Sequence, residues 1–131
     1  YAAQRGATSI LCLESIHGLS YSIKAAVNYL NTLEKPFRMI FMVADQPYIS
    51  MNTIDKLMHT KHKLASCAYK EKAGNPTLFD SSYIPELLLL KEDQGGRKVL
   101  NKHPDEVEYI QVENVKELYD IDYQEDLKQL Q

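Results

Sequence analysis

FRMIFMVADQPYIS, residues 37 to 50, decides the reading of this chain: an apolar run, FRMIFMVA, stops on Asp45, and Gln46 and Pro47 follow at once. A nearly continuous apolar run of this length is the pattern of a strand covered on both faces, so the stretch predicts a central, parallel strand of an α/β sheet. Pro36 closes the helical region before it. In open α/β sheets ligands bind beyond the carboxyl ends of the strands, and Asp45 stands at that kind of position. A carboxylate there suits a hard cation such as Mg2+, with Pro47 fixing its own backbone and holding Gln46 toward extended geometry. Capping of the loop or of the next turn accounts for the same residue, and both readings stay open at this point.

Outward from Asp45, Ser50 is a candidate N-cap for a helix over about Met51 to Lys61, with Ile54, Leu57 and Met58 on one face. LASCAY alternates as a strand, AGNP reads as a turn and TLF resumes extended structure, so residues 64 to 79 predict two strands joined through Gly74, Asn75 and Pro76. Upstream, TSILCL at residues 8 to 13 predicts a strand. The apolar positions Leu19, Ile23, Ala26, Val27, Leu30 and Leu33 have helical spacing. Downstream, a helix is expected from near Ser82 through the LLLL run until KEDQGGR breaks it. A short helix over Arg97 to Lys102, the strand EVEYIQV and a terminal helix from near Tyr123 complete the chain. The order β, α, β, α, β, β, α, α, β, α resembles an α/β layered fold more than a sandwich or a bundle.

At 131 residues the length predicts a single domain, residues 1-131, with one core. With 44% hydrophobic and 25% charged residues it reads as a soluble globular chain. A formal net charge of -3 with both signs interspersed argues against nucleic acid as partner, and no apolar run is long enough for a membrane span. The N-terminus YAAQRGATS has no signal-peptide pattern and no initiator methionine, so the chain is expected to be cytoplasmic and to begin partway through something larger. Cys12 and Cys67, each in an apolar strand-like segment, read as buried thiols.

Three further stretches carry candidate chemistry. In DIDYQEDL, Asp120 and Asp122 alternate along an extended chain and share a face, with Ile121 pointing inward. Alternatively Asp122 is an N-cap whose capping box Glu125 completes. In EDQGGRKVL, Gly95 and Gly96 permit close backbone approach and Arg97 supplies a positive fork for phosphate or carboxylate, though a loop between helices explains the same residues. In GLSYSIKAA, Ser20 and Ser22 stand at a helix start, where free N–H groups and hydroxyls bind an anion or simply cap the helix. No GxSxG, HExxH or CxxC is present, and His59 and His62 read as solvated rather than metal-binding.

Taken together and in this order, GLSYSIKAA, MVADQPYIS, AGNPTLF, EDQGGRKVL and DIDYQEDL resemble the MobA-like nucleotidyltransferase family, in particular its molybdenum cofactor cytidylyltransferase and molybdenum hydroxylase accessory branch. The resemblance spans about residues 8 to 130. It implies a three-layer, Rossmann-like nucleotide-diphospho-sugar transferase fold with a mostly parallel sheet. The implied activity is Mg2+-dependent transfer of CMP or GMP from CTP or GTP to the terminal phosphate of a molybdopterin-type cofactor. Asp45 and Asp122 would be the metal ligands, with Asp120 beside them. Gly18, Ser20 and Ser22 match the loop near the nucleotide, and Gly74, Asn75 and Pro76 the acceptor side. Asp93, Gly95 and Arg97 match a GDxGAR-like segment, with Glu92 in place of its first glycine and Gly96 in place of its alanine.

The family's opening strand and LAAGxSxRMGxxK phosphate loop are missing from this sequence. The expectations that follow are incomplete catalysis by the chain alone and self-association through an uncovered edge. A non-catalytic cofactor-binding or scaffold remnant of the fold and a nucleotidyltransferase acting on a sugar phosphate or phospholactate are the alternatives, and a molybdenum hydroxylase is the protein partner that the resemblance implies.

Overall fold

The structure, a computed structural model, describes residues 3–121. Its contacts divide the chain into two compact units: Tyr1–Pro36 with Ser81–Lys102, and Phe37–Asp80 with His103–Gln131.

The second unit holds the sheet. Its elements are β1 (Arg38–Phe41), α2 (Met51–His59), β2 (Leu64–Tyr69), β3 (Lys72–Asp80) and β4 (Val107–Gln111), with strand order β1-β3-β2-β4. β1 and β2 both run antiparallel to β3, and only β2 and β4 are parallel. The mixed α/β character is as the sequence predicts, but the strand directions are not. β1 lies at an edge of the sheet and pairs antiparallel with β3, Met39 facing Phe79 and Phe41 facing Thr77. Apolar composition reports how well a strand is covered, whereas direction is set by distant pairing that the run itself does not encode.

The AGNP turn is also corrected. β2 and β3 form a hairpin that turns at Lys70 and Glu71, with Lys70 at φ 55°. Gly74, Asn75 and Pro76 lie inside β3. The register passes from Cys67 opposite Gly74 to Ser66 opposite Thr77, so Asn75 and Pro76 are extra residues bulged out of the ladder. Proline has no N–H to give a ladder, and a bulge is where a strand tolerates it. The core of this unit joins Leu57 of α2 to Ala65, Cys67 and Leu78 of the hairpin and to Ile110, Val112 and Leu118, with Ile40 and Tyr69 packed against it. Full burial of a leucine such as Leu57 or Leu78 stabilises by about 2 kcal/mol.

The first unit is helical: α1 (Leu19–Leu30), α3 (Ile84–Leu87) and α4 (Arg97–Lys102), with α1 and α3 in contact. α1 runs on as a 3-10 turn over Asn31–Leu33 and stops where Glu34 turns left-handed at φ 57°. α4 has the bounds the sequence predicts, while the leucine-rich helix reaches only Leu87. The strand expected at residues 8 to 13 does not form: the chain there is irregular and then enters a 3-10 turn, Leu13–His17. A strand needs a neighbour for its amides and carbonyls. Among the described residues all strand pairing is made by residues 38 to 111, and Leu11, Leu13 and Ile16 are left exposed.

Candidate functional site

In the second unit, Asp45 lies in the loop of residues 42–50 that leads from β1 to α2, just after the exposed Met42 and Val43. Asp45 is half-buried. Its carbonyl accepts the backbone N–H of Ile121 at 2.8 Å, which brings the DQP stretch against the stretch where Asp120 and Asp122 flank Ile121 in sequence. Gln46, buried, turns its side-chain amide inward. Its Nε2 donates to the carbonyls of Asn75 at 3.1 Å and Glu117 at 3.3 Å, so the bulge of β3 is tied to the same loop. Leu118 packs against Gly74, where an added Cβ would meet a leucine methyl at 3.4 Å, an ordinary contact distance.

Sequence reasoning missed Glu117. It sits in the 3-10 turn Val115–Leu118, whose start is capped by the Asn114 side chain accepting Lys116 N–H at 2.9 Å. The residue is only 6% exposed. Its Oε1 accepts from the Ser50 amide at 3.0 Å, the Ser50 hydroxyl at 2.8 Å and the Thr53 hydroxyl at 2.6 Å. Ser50 is the N-cap of α2, as predicted, and its oxygen accepts Thr53 N–H at 3.2 Å while its single proton serves Glu117. Burial by itself pushes the Glu117 carboxyl up. The bonds from the Thr53 hydroxyl, the Ser50 amide and hydroxyl and the Asn114 backbone outweigh it and hold the carboxyl below the usual range.

In the first unit the candidate residues meet through backbone. Gly18, the N-cap of α1, has φ 134° and ψ 167°. A Cβ there would lie 2.2 Å from the Glu92 carbonyl oxygen and 2.8 Å from Asp93 N. Ser20 N–H donates to the same Glu92 carbonyl at 2.9 Å. Only a glycine admits this approach, which joins GLSYS to EDQGG. The Ser20 hydroxyl is fully buried and has no hydrogen-bond partner among the described residues. Ser22 is exposed and lines a shallow cavity of about 350 Å3 with Cys12, Ser15, Ala25 and Ala26. Gly95 lies under Leu19, Asp93 is exposed, and Arg97 is half-buried at the start of α4.

Asp122, Glu125 and the terminal helix expected from near Tyr123 lie outside the described residues. Among the described residues no three His, Cys, Asp or Glu side chains gather as a metal cage. Mg2+ does not require one, since it is commonly held by one or two carboxylates together with substrate phosphates. A half-buried Asp45 hydrogen-bonded to the backbone of Ile121 is compatible with such a donor set. His59 and His62 have separate partners: Nδ1 of His59 donates to Asp55 carbonyl at 2.7 Å, and Nε2 of His62 lies 3.4 Å from Glu108. Neither Cys12 nor Cys67 is in a disulfide; Cys67 is buried and Cys12 only half-buried. No helix among the described residues is long and apolar enough to cross a membrane.

Comparison with solved structures finds the same fold in mycobacterial proteins. Rv0371c from Mycobacterium tuberculosis H37Rv is 21% identical with a TM-score of 0.71, covering 85% of this chain and 58% of that one. Its homologue from Mycobacterium sp. strain JC1 is 23% identical with a TM-score of 0.68, covering 86% of this chain and 56% of that one. A manganese complex of Rv0371c is 21% identical with a TM-score of 0.71, covering 98% of this chain and 71% of that one. The chain thus spans little more than half of the first two relatives. None of the curated proteins compared with it matches. The family profile described as the MobA-like NTP transferase domain matches residues 1–107, and the chain belongs to that family.

Proposed function

We propose that this chain is the metal-binding and acceptor-binding part of a nucleotidyltransferase that moves CMP or GMP from CTP or GTP to the terminal phosphate of a molybdopterin-type cofactor in the cytoplasm. Membership of an NTP transferase family supports a nucleotide substrate, and the manganese complex of one structural relative supports a divalent metal. The single observation that carries the reading is the 2.8 Å bond from Ile121 N–H to the Asp45 carbonyl, because it joins the two acidic stretches that the resemblance assigns to one cation.

In this reading an oxygen of the acceptor's terminal phosphate attacks the α-phosphorus of the NTP. The new P–O bond forms as the bond to the bridging oxygen breaks, and pyrophosphate leaves with that electron pair. Asp45 and Asp122 would hold Mg2+, which would neutralise charge on the triphosphate. No protein nucleophile takes part, so the residues act by positioning and electrostatics. Gln46 fixes the Asn75 carbonyl and with it the Asn75–Pro76 bulge next to Gly74, which the resemblance puts on the acceptor side. By the resemblance Gly18, Ser20 and Ser22 lie beside the nucleotide, where the exposed Ser22 hydroxyl offers a donor to a polar edge, with Asp93, Gly95 and Arg97 in the same unit.

Calorimetric titration with CTP and GTP, with and without Mg2+, tests this. Wild-type chain is expected to bind at least one nucleotide in a Mg2+-dependent manner, and Asp45→Asn to abolish that dependence. Equal Mg2+-dependent binding by Asp45→Asn would sink the metal role.

A further inference from the structure

Three bonds tie the loop between β1 and α2 to one short segment of chain. The Glu117 carbonyl accepts from Gln46 Nε2, the Glu117 carboxylate accepts from the Ser50 amide, and the Ile121 amide donates to the Asp45 carbonyl. The helix end explains the second bond. In a capping box the N-cap serine binds the N3 amide, and a Glu or Gln at N3 reaches back to the N-cap amide. Here Ser50 makes its half of the box with Thr53 N–H, but Thr53 occupies N3 and has no carboxylate to return. Glu117 supplies it from far along the chain, taking the Ser50 amide at 3.0 Å and both nearby hydroxyls on the same oxygen.

We infer that Glu117 is a positioning residue for Asp45: by completing the capping box of α2 from outside the helix, it holds the Asp45 loop against the segment from Glu117 to Ile121. The consequence for a cation rests on the metal reading above. The anchoring segment is itself fixed, since Leu118 belongs to the buried core and Asn114 caps the turn that carries Glu117. The loop is therefore clamped near both its ends, at Asp45 by Ile121 and at Ser50 by Glu117. A ligand carboxylate tolerates little misplacement, and loss of a supporting contact behind a metal ligand typically weakens binding 10- to 100-fold.

The test compares wild type, Glu117→Gln, Thr53→Val, Asp45→Asn and Glu113→Gln as a control on the exposed Asn52 contact. Amide hydrogen exchange is followed residue by residue, and Mn2+ binding by the resonance of free Mn2+. Thr53→Val removes one of the bonds to Glu117 and serves if Glu117→Gln does not fold. The expected result is exchange of the Ile121 amide at least about tenfold faster than wild type, relative to Leu78 in the core hairpin, with Mn2+ binding about 10- to 100-fold weaker. Glu113→Gln should change neither.

Faster exchange confined to Ser50 and Thr53, with Ile121 unchanged, would make Glu117 a local cap and overturn the inference. If Asp45→Asn loses Mn2+ while Glu117→Gln keeps it within twofold, the inference is overturned at the metal. If wild type binds no Mn2+, or Asp45→Asn binds it as well as wild type, the metal reading fails, and the exchange of Ile121 alone decides the positioning role.

Discussion

The two units assemble their candidate residues by opposite means. In the first unit, Gly18 and Ser20 meet Glu92 through main chain, and the approach depends on a side chain that is absent. In the second, Asp45, Gln46, Asn75, Ser50 and Thr53 are connected through two polar side chains, Gln46 and Glu117, each of which bridges segments far apart in sequence. Backbone approach tolerates no added atom, whereas a buried charged network tolerates change of shape poorly and change of charge worse. Each unit should therefore fail in its own way.

The largest effect is expected at Gly18. With φ 134° and ψ 167° the position lies in a region that is essentially glycine-only. A methyl would also stand 2.2 Å from the Glu92 carbonyl oxygen, which is backbone and cannot rotate aside. Gly18→Ala should cost about 4 kcal/mol, from strain and overpacking together. Thermal unfolding followed by circular dichroism checks it; a melting temperature within a degree of wild type would show that the approach of Gly18 to Glu92 is not structural.

Glu117 comes next and makes the second unit sensitive to acid. Its carboxyl is held below the usual range, so its ionised form stabilises the folded chain above the ordinary glutamate pKa of about 4.3. That contribution is lost as pH falls through the folded-state value, because the proton binds the unfolded chain more readily. Glu117→Ala, which leaves the Ser50 amide and Thr53 hydroxyl without their acceptor, should cost about 2 kcal/mol at pH 7. Urea unfolding at a series of pH values should show the gap between wild type and this variant closing below about pH 4. A gap independent of pH would mean that the carboxylate charge contributes nothing.

The contrast also explains what could be read from sequence. Helical periodicity gave α1 its start at Leu19, the extent of α4 was legible too, and Ser50 was legible as an N-cap because capping is local chemistry. The direction of β1, the fate of residues 8 to 13 and the hairpin turn at Lys70 and Glu71 were not, since each depends on which segment lies alongside. Gly-Asn-Pro carries the composition of a turn, yet inside β3 it makes a bulge, and composition alone does not separate the two. Asp45 was legible as the end of an apolar run. Glu117 was not, because a glutamate in VKEL looks like any solvated helical residue; the only trace was Thr53 at N3, which says that a carboxylate is missing without saying where it comes from.

Gly95 gives the smallest expected effect and isolates what is special at Gly18. A Cβ at Gly95 would also come too close to a neighbour, 2.9 Å from Leu19 Cδ2, but that atom is the end of a flexible side chain that is half exposed. Leu19 can turn away at the cost of a rotamer change, and Gly95 has no positive φ to forbid a side chain. Alanine in place of glycine also lowers the entropy of the unfolded chain by about 0.4–1 kcal/mol, which offsets the rotamer change. Gly95→Ala should change the stability by less than about 0.5 kcal/mol and so leave the melting temperature nearly unchanged. If it instead destabilised as much as Gly18→Ala, close packing in general, rather than contact with an immovable backbone carbonyl, would govern this unit.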